Sequence, residues 1–204
     1  MTKSLDMGSR AVSGGLYHLG GTWSESVADL VATLDLDVPR VPDSRLRTVV
    51  PQPIDENGDY VVYWMMAARR TGWNYGLERA IEHATRLSKP LLVLEAVRCG
   101  YRWASARHHT FILEGMRDQA RELASGPARY VPCVEPEPGA GKGLVEHLAA
   151  RACVIVTDDY PAFFLPRAVA AVASRVSVRV EAVDGNGIFP MRATTRVFTT
   201  AHSF

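Results

Sequence analysis

Two short stretches carry residue types that could bind or react. Arg69 and Arg70 follow the apolar run Tyr60 to Met66. Asp158 and Asp159 follow the apolar run Val154 to Thr157. A guanidinium offers a planar fork of donors that suits phosphate or carboxylate. The arginine pair could hold an anionic ligand or an acidic partner, or it could be structural and pair with Glu95 or Asp158. Two adjacent carboxylates could hold a metal or accept a phosphoryl group. That chemistry would want further acidic residues after the first apolar run, where Met65 and Met66 stand, and a lysine after the last strand, where there is none. For Asp158 and Asp159 this leaves capping of a helix N-terminus or a hydrogen bond to a ligand.

The remaining motifs exclude more than they assign. Pro-Gly-Ala-Gly-Lys-Gly at 138–143 lacks the first glycine of a phosphate loop, and Gly143 stands where Ser or Thr would bind magnesium. It reads as a turn entering a helix. Gly185-Asn186-Gly187 lacks the third glycine of a dinucleotide fingerprint and runs into Pro190 instead of a helix, so it reads as a turn. His108 and His109 have no third ligand at metal spacing. Cys99, Cys133 and Cys153 form no Cys-x-x-Cys pair and read as reduced thiols. Trp64, Trp73 and Trp103 fall near predicted strand ends, either as core and interface aromatics or as stacking platforms. No Ser-His-Asp or Cys-His set stands out, so no catalytic residue and no metal ligand is assigned.

These residues need a scaffold. A chain of 204 residues allows one ordinary domain with extensions. A formal net charge of +1 supplies no global field toward nucleic acid or membrane, although arginine far outnumbers lysine, as composition bias alone would produce. From Asp59 the pattern alternates strand and helix. Strands are predicted at 60–66, 91–97, 129–134, 154–157 and 176–181. Helices are predicted between them, the first with Leu77, Ala80, Ile81 and Ala84 on its apolar face. Such alternation predicts an α/β fold: a doubly wound, five-stranded parallel sheet with helices on both faces.

The first, second and fourth strands read as buried on both faces. The third contains Pro132, and the fifth alternates apolar and polar residues, so both read as edges. The order 3-2-1-4-5 satisfies this; 2-1-3-4-5 would put the proline-bearing strand in the centre. The favoured order places the topological switch between the first and fourth strands, where such sheets bind ligands beyond the strand C-termini. The loops concerned are 66–73 and 158–165.

Residues 1–58 read as an extension, flexible over 1–21, with an amphipathic helix over about 23–35 and a proline-rich connector after it. Residues 59–190 read as the α/β domain. No signal peptide or membrane span is apparent, and a cytoplasmic location is expected.

Beyond these physical readings, the spaced residues Tyr63-Trp64-Met65, Arg70, Asn74 and Leu77 resemble the opening of the class II DNA photolyases. The resemblance continues through Arg107-His108, Phe111 and Glu114-Gly115-Met116. It runs on through Val154 to Asp158 and ends at Val183-Asp184-Gly185-Asn186 and Pro190. It implies the amino-terminal, Rossmann-like α/β domain of the photolyase and cryptochrome family, enzymes that split cyclobutane pyrimidine dimers in DNA with light. It further implies that FAD, and contact with damaged DNA, belong to a carboxy-terminal domain this chain lacks. Residues 191–204 then read as the start of the interdomain linker, and the chain alone is expected to be inactive in repair. The domain is implied to offer a site for an antenna chromophore, a deazaflavin or a folate. The candidate contacts are Met65, Met66, Arg69, Arg70, Asn74, Asp158 and Asp159. A stand-alone binding module, self-associating through the face left exposed, is the alternative.

Overall fold

The computed structural model describes residues 41–203. The predicted helix over 23–35 and the flexible stretch before it lie outside the described residues. The strands are β1 (Leu46–Val50), β2 (Tyr60–Met65), β3 (Leu91–Val97), β4 (Arg129–Val134), β5 (Ala152–Asp158) and β6 (Val180–Val183). The helices are α1 (Tyr75–Leu87), α2 (Ala106–Leu123), α3 (Leu144–Ala149) and α4 (Leu165–Ala173). None of them is long and apolar enough to cross a membrane.

The sheet order is β1-β6-β5-β2-β3-β4. Read from the other edge, β4 to β6 reproduce the expected 3-2-1-4-5 order, with every neighbouring pair parallel. The physical basis is the one the sequence offered. β2 and β5 are almost wholly buried, so each needs a neighbour on both sides and a helix layer on both faces. β4 carries Pro132 and lies at an edge, where a missing N–H costs no ladder bond.

The fold departs from expectation at the other edge. The sheet has six strands and is mixed, because β1 pairs antiparallel with β6, Leu46 opposite Val183 and Val50 opposite Val180. The segment read as an extended connector therefore completes the sheet. It also corrects the reading of the fifth strand as a half-exposed edge. The strand begins at Val180, and all four of its residues are buried, Glu181 included. The alternation seen over 176–181 belongs mostly to the approach to the strand.

Side chains alternate between two cores. Val61, Tyr63, Met65, Val93 and Val156 face α1, whose Leu77 and Ala80 meet them. Val62, Trp64, Leu94, Ile155 and Val180 face α3 and α4 through Val145, Ala149, Val169 and Val172. Ile81 turns out exposed, and His83 takes the buried place on α1 instead. The apolar stripe had room for a partnered polar residue that hydrophobicity alone does not register.

β2 enters the sheet beside β5 through one close approach. A Cβ on Gly58 would lie 2.6 Å from the Cys153 backbone nitrogen. Nearby, Asp59 N–H donates to Arg151 O (2.8 Å) and Asp55 N–H to Cys153 O (3.0 Å). Gly58→Ala must push the two backbones apart, and a loss of about 1–3 kcal/mol is expected in urea denaturation.

Candidate functional site

The expected switch point exists between β2 and β5. Asp158, the last residue of β5, reaches across to the loop after β2. Its Oδ2 accepts backbone N–H bonds from Met66 (2.8 Å), Ala67 (2.6 Å) and Ala68 (3.1 Å). The Tyr63 hydroxyl donates to Asp158 Oδ1 (2.8 Å), with Asn74 Oδ1 a second acceptor at 3.1 Å. Burial, then the negative Asp158 beside it, push the Tyr63 phenol well above its ordinary value, so it remains a donor.

Asn74 closes the other side of the loop. It caps α1 by accepting from Leu77 N–H (3.1 Å), and its amide donates to Ala68 O (2.9 Å) and Arg70 O (2.8 Å). One buried asparagine thus fixes both the loop and the helix start, which explains its place between them in the sequence. Gly76 leaves space for the Tyr63 ring, since a Cβ there would meet Tyr63 Cε2 at 2.8 Å.

Arg69 takes the structural alternative. Its guanidinium donates to Glu95 Oε1 (2.9 Å), Met66 O (3.2 Å) and Ala96 O (3.1 Å). Glu95 is buried on β3 and also accepts from Tyr130 OH (2.5 Å). Lysine has no fork to serve three acceptors at once. Arg69→Lys is expected to cost about 1–3 kcal/mol, read from the thermal midpoint, because Glu95 stays buried with a poorer partner.

Asp159 turns the other way. It receives Arg47 from β1 through Nη2 (2.8 Å) and Nε (3.2 Å), and Arg192 donates to its Oδ2. Burial pushes the Asp159 carboxyl up, but the two arginines outweigh it and hold it below the usual range. Arg70 is the exposed member of the set, donating to Trp73 O through Nε (3.2 Å) and Nη2 (3.1 Å). Met65 lies fully buried in the core.

The structure therefore gathers Arg70, Asp158 and Asp159 with Ala67, Tyr160 and Asn186 around one small cleft of about 110 Å³. Met66 stands at its rim through its backbone bond to Asp158. Met65 and the Arg69 side chain belong to the support behind it. A pocket that encloses an aromatic cofactor is usually about 300–1,000 Å³. The cleft formed by the described residues is smaller than a deazaflavin or a folate needs.

Arg45 carried no sequence signal in this region, and Asp184 entered only through the family resemblance. Arg45 is buried and stacks on the Tyr75 ring, 4.4 Å from its centroid. It donates to Asp184 O (3.1 Å), Gly187 O (3.2 Å) and Ile188 O (2.7 Å), tying the loop after β6 to the base of β1. Asp184 shapes the same loop by accepting from Asn186 N–H (2.9 Å) and Met191 N–H (2.6 Å). The 185–187 turn thus has side-chain supports, and Gly187 takes the left-handed φ of +61°.

Large apolar side chains are exposed in the loops that follow the parallel strands. Trp73, Trp103, Phe163, Phe164, Ile188 and Phe189 follow β2, β3, β5 and β6, so all belong to the C-terminal edge of the sheet. Trp73 and Phe163 adopt left-handed φ values of 52° and 59°, unfavourable for bulky residues. Trp64, grouped with two of these by sequence, is instead buried in the core.

No family model matches the chain. Over 151 residues it is 32% identical to the deoxyribodipyrimidine photo-lyase of Methanothermobacter thermautotrophicus, covering 74% of this chain and 33% of that protein. Over 147 residues it is 28% identical to the deoxyribodipyrimidine photo-lyase of Arabidopsis thaliana, covering 71% of this chain and 29% of that protein. The chain spans about a third of the length of these curated relatives. Two matches to proteins of one name, from an archaeon and a plant, cover nearly three quarters of the residues and support the deoxyribodipyrimidine photolyase family for this chain.

Proposed function

We propose that this chain is the amino-terminal α/β portion of a light-dependent photolyase that splits cyclobutane pyrimidine dimers in DNA. The match to two deoxyribodipyrimidine photolyases carries the reading. FAD, when bound by the remaining two thirds of such an enzyme, supplies the electron that opens the dimer. This chain's residues bind and position. Asp158 and Asn74 hold the 66–74 loop, and Arg45 and Asp184 hold the 184–191 loop. Between them they present the exposed aromatic edge of the sheet to the flavin-bearing portion. The segment after Pro190, tied by Arg192 to Asp159, leads toward it.

In this reading an antenna deazaflavin or folate belongs at the same edge. The cleft of about 110 Å³ does not by itself enclose such a group, so an antenna at this edge needs further walls beside it. The chain alone, given FAD, light and a dimer-containing oligonucleotide, is expected to leave the dimer intact. Grafted in place of the matching region of the Methanothermobacter enzyme, it is expected to support light-dependent repair. Repair by the chain alone overturns the division of labour, and a folded, FAD-loaded graft without repair overturns the assignment.

The exposed aromatics also favour a second reading, a stand-alone module that self-associates through this edge. Sedimentation then shows concentration-dependent association that Phe163→Asp with Ile188→Asp removes. A monomer at high concentration rules it out.

A further inference from the structure

A larger cleft, of about 750 Å³, lies between α1, the 53–56 segment and the start of β6. It is at the opposite end of the strands from the switch point, because residues 53–56 lead into the first residues of β2. Ile54, Pro53 and Leu87 give it an apolar wall, and Arg79, Arg86 and Arg179 face them.

The polar side is built in layers. Glu181 is buried on β6 and accepts from Arg79 Nε (2.8 Å), Arg179 Nε (2.7 Å) and His83 Nε2 (2.8 Å). Arg79 also donates to Glu82 (2.7 Å), and Arg179 to Gln52 O (3.3 Å) and Thr48 Oγ1 (3.2 Å). Both guanidiniums are therefore spent. Arg86 differs: its Nη2 lies 3.2 Å from His83 Nδ1.

A guanidinium can only donate, so Nδ1 is the acceptor. The ring proton is then on Nε2, where it donates to Glu181. Glu181 thus fixes the tautomer of a buried histidine, and that histidine orients Arg86. Among the described residues Arg86 has no carboxylate partner, and its Nε and Nη1 donors have none; Glu56 stands exposed at the rim. A basic residue in the last turn of a helix commonly just faces the helix dipole. Arg86 is also aimed, through a buried carboxylate–imidazole pair, into a cleft of ligand size.

We propose that this cleft binds a small oxyanion, a carboxylate or phosphate monoester on an apolar body, with Arg86 as its anchor and His83 as the residue that positions Arg86. The anion meets the free edge of the Arg86 fork, and the body lies on Ile54 and Leu87. This goes beyond the photolyase reading and stands without it.

Titrate the full chain with phenyl phosphate, benzoate and inorganic phosphate, and follow arginine Nε–H and histidine resonances. Saturable shifts at Arg86 and His83 are expected, with phenyl phosphate tighter than inorganic phosphate. Arg86→Ala, a surface change that leaves the core intact, is expected to weaken binding about tenfold or more. His83→Gln is expected to weaken it less, with Arg86 still in contact. Arg70→Ala, at the opposite edge, is expected to change nothing. Unchanged binding in Arg86→Ala, no saturable shift, or loss in Arg70→Ala instead would each overturn the site.

Discussion

Asp158→Ala is expected to destabilise the α/β unit by about 3–5 kcal/mol, lowering its thermal midpoint by roughly 6–20 °C. The reason is the number of donors that converge on one side chain. Three backbone N–H groups, of Met66, Ala67 and Ala68, and the Tyr63 hydroxyl all direct their hydrogens at it. Asp158 and Tyr63 are buried, so water cannot replace the carboxylate without opening the sheet end. Tyr63 keeps Asn74 as an acceptor, but the loop amides do not. Asp158→Asn should cost less, because its carbonyl oxygen can still accept the loop N–H bonds and its amide can donate to the Tyr63 hydroxyl, which keeps Asn74 as acceptor; what is lost is the charge. Thermal denaturation of the two variants checks the order. Midpoints within a degree or two of the parent chain would mean that the 66–68 loop is held by something else.

Glu181→Ala is the second large effect, about 2–4 kcal/mol, discounted because Arg79 and Arg179 keep partial contact with water. His83 has no such recourse and loses its Nε2 acceptor in a buried site. The same cluster sets an acid limb. Burial alone would raise the Glu181 carboxyl, but hydrogen bonds from His83, Arg79 and Arg179 win and hold it far below its ordinary 4.5. The unfolded chain therefore takes up this proton at a higher pH than the folded one. The stabilisation is complete above the unfolded value and drains away as pH falls below about 4.5 toward the folded value. Asp159 drains in the same direction, from its ordinary 3.8 downward. Urea midpoints from neutral pH to about pH 3 are expected to fall steeply in the parent chain and less in Glu181→Gln. Equal acid slopes would remove Glu181 as the cause.

The strand order was legible because it follows from local composition. A strand apolar on both faces has to be central, and Pro132 has to be at an edge. β1 was not legible. Five residues between prolines carry little pattern, and what makes them a strand is the exposed side of β6, far along the chain. The same blind spot hid the roles of Arg45, His83 and Glu181. Glu181 looked like the outward residue of an alternating strand, and only the six-stranded sheet brings α1 and Arg179 onto it.

The loops named from the sequence, 66–73 and 158–165, do lie at the switch point, and the pairing of Arg69 with Glu95 was one of the two alternatives for that side chain. The sequence did not distinguish a residue that faces a ligand from one that builds the loop. Asp158 and Asn74 show why. A side chain that satisfies three or four backbone groups has the same identity as one that would bind a cofactor, and only the partners separate them.

The antiparallel closure by β1 has a consequence for how the molecule is made. Arg45 and Asp184, which meet across that closure, are 139 residues apart in sequence. On a ribosome β1 must wait, unpaired, until β6 has emerged. The parallel strands and their helices can assemble one crossover at a time meanwhile, but the β6 edge stays open until the end. This slow, long-range step concentrates the risk of edge-to-edge aggregation in one late interval of synthesis. A nascent chain arrested before Val180 would carry β1 with no partner, and the whole sheet could lock only once β6 had cleared the ribosome.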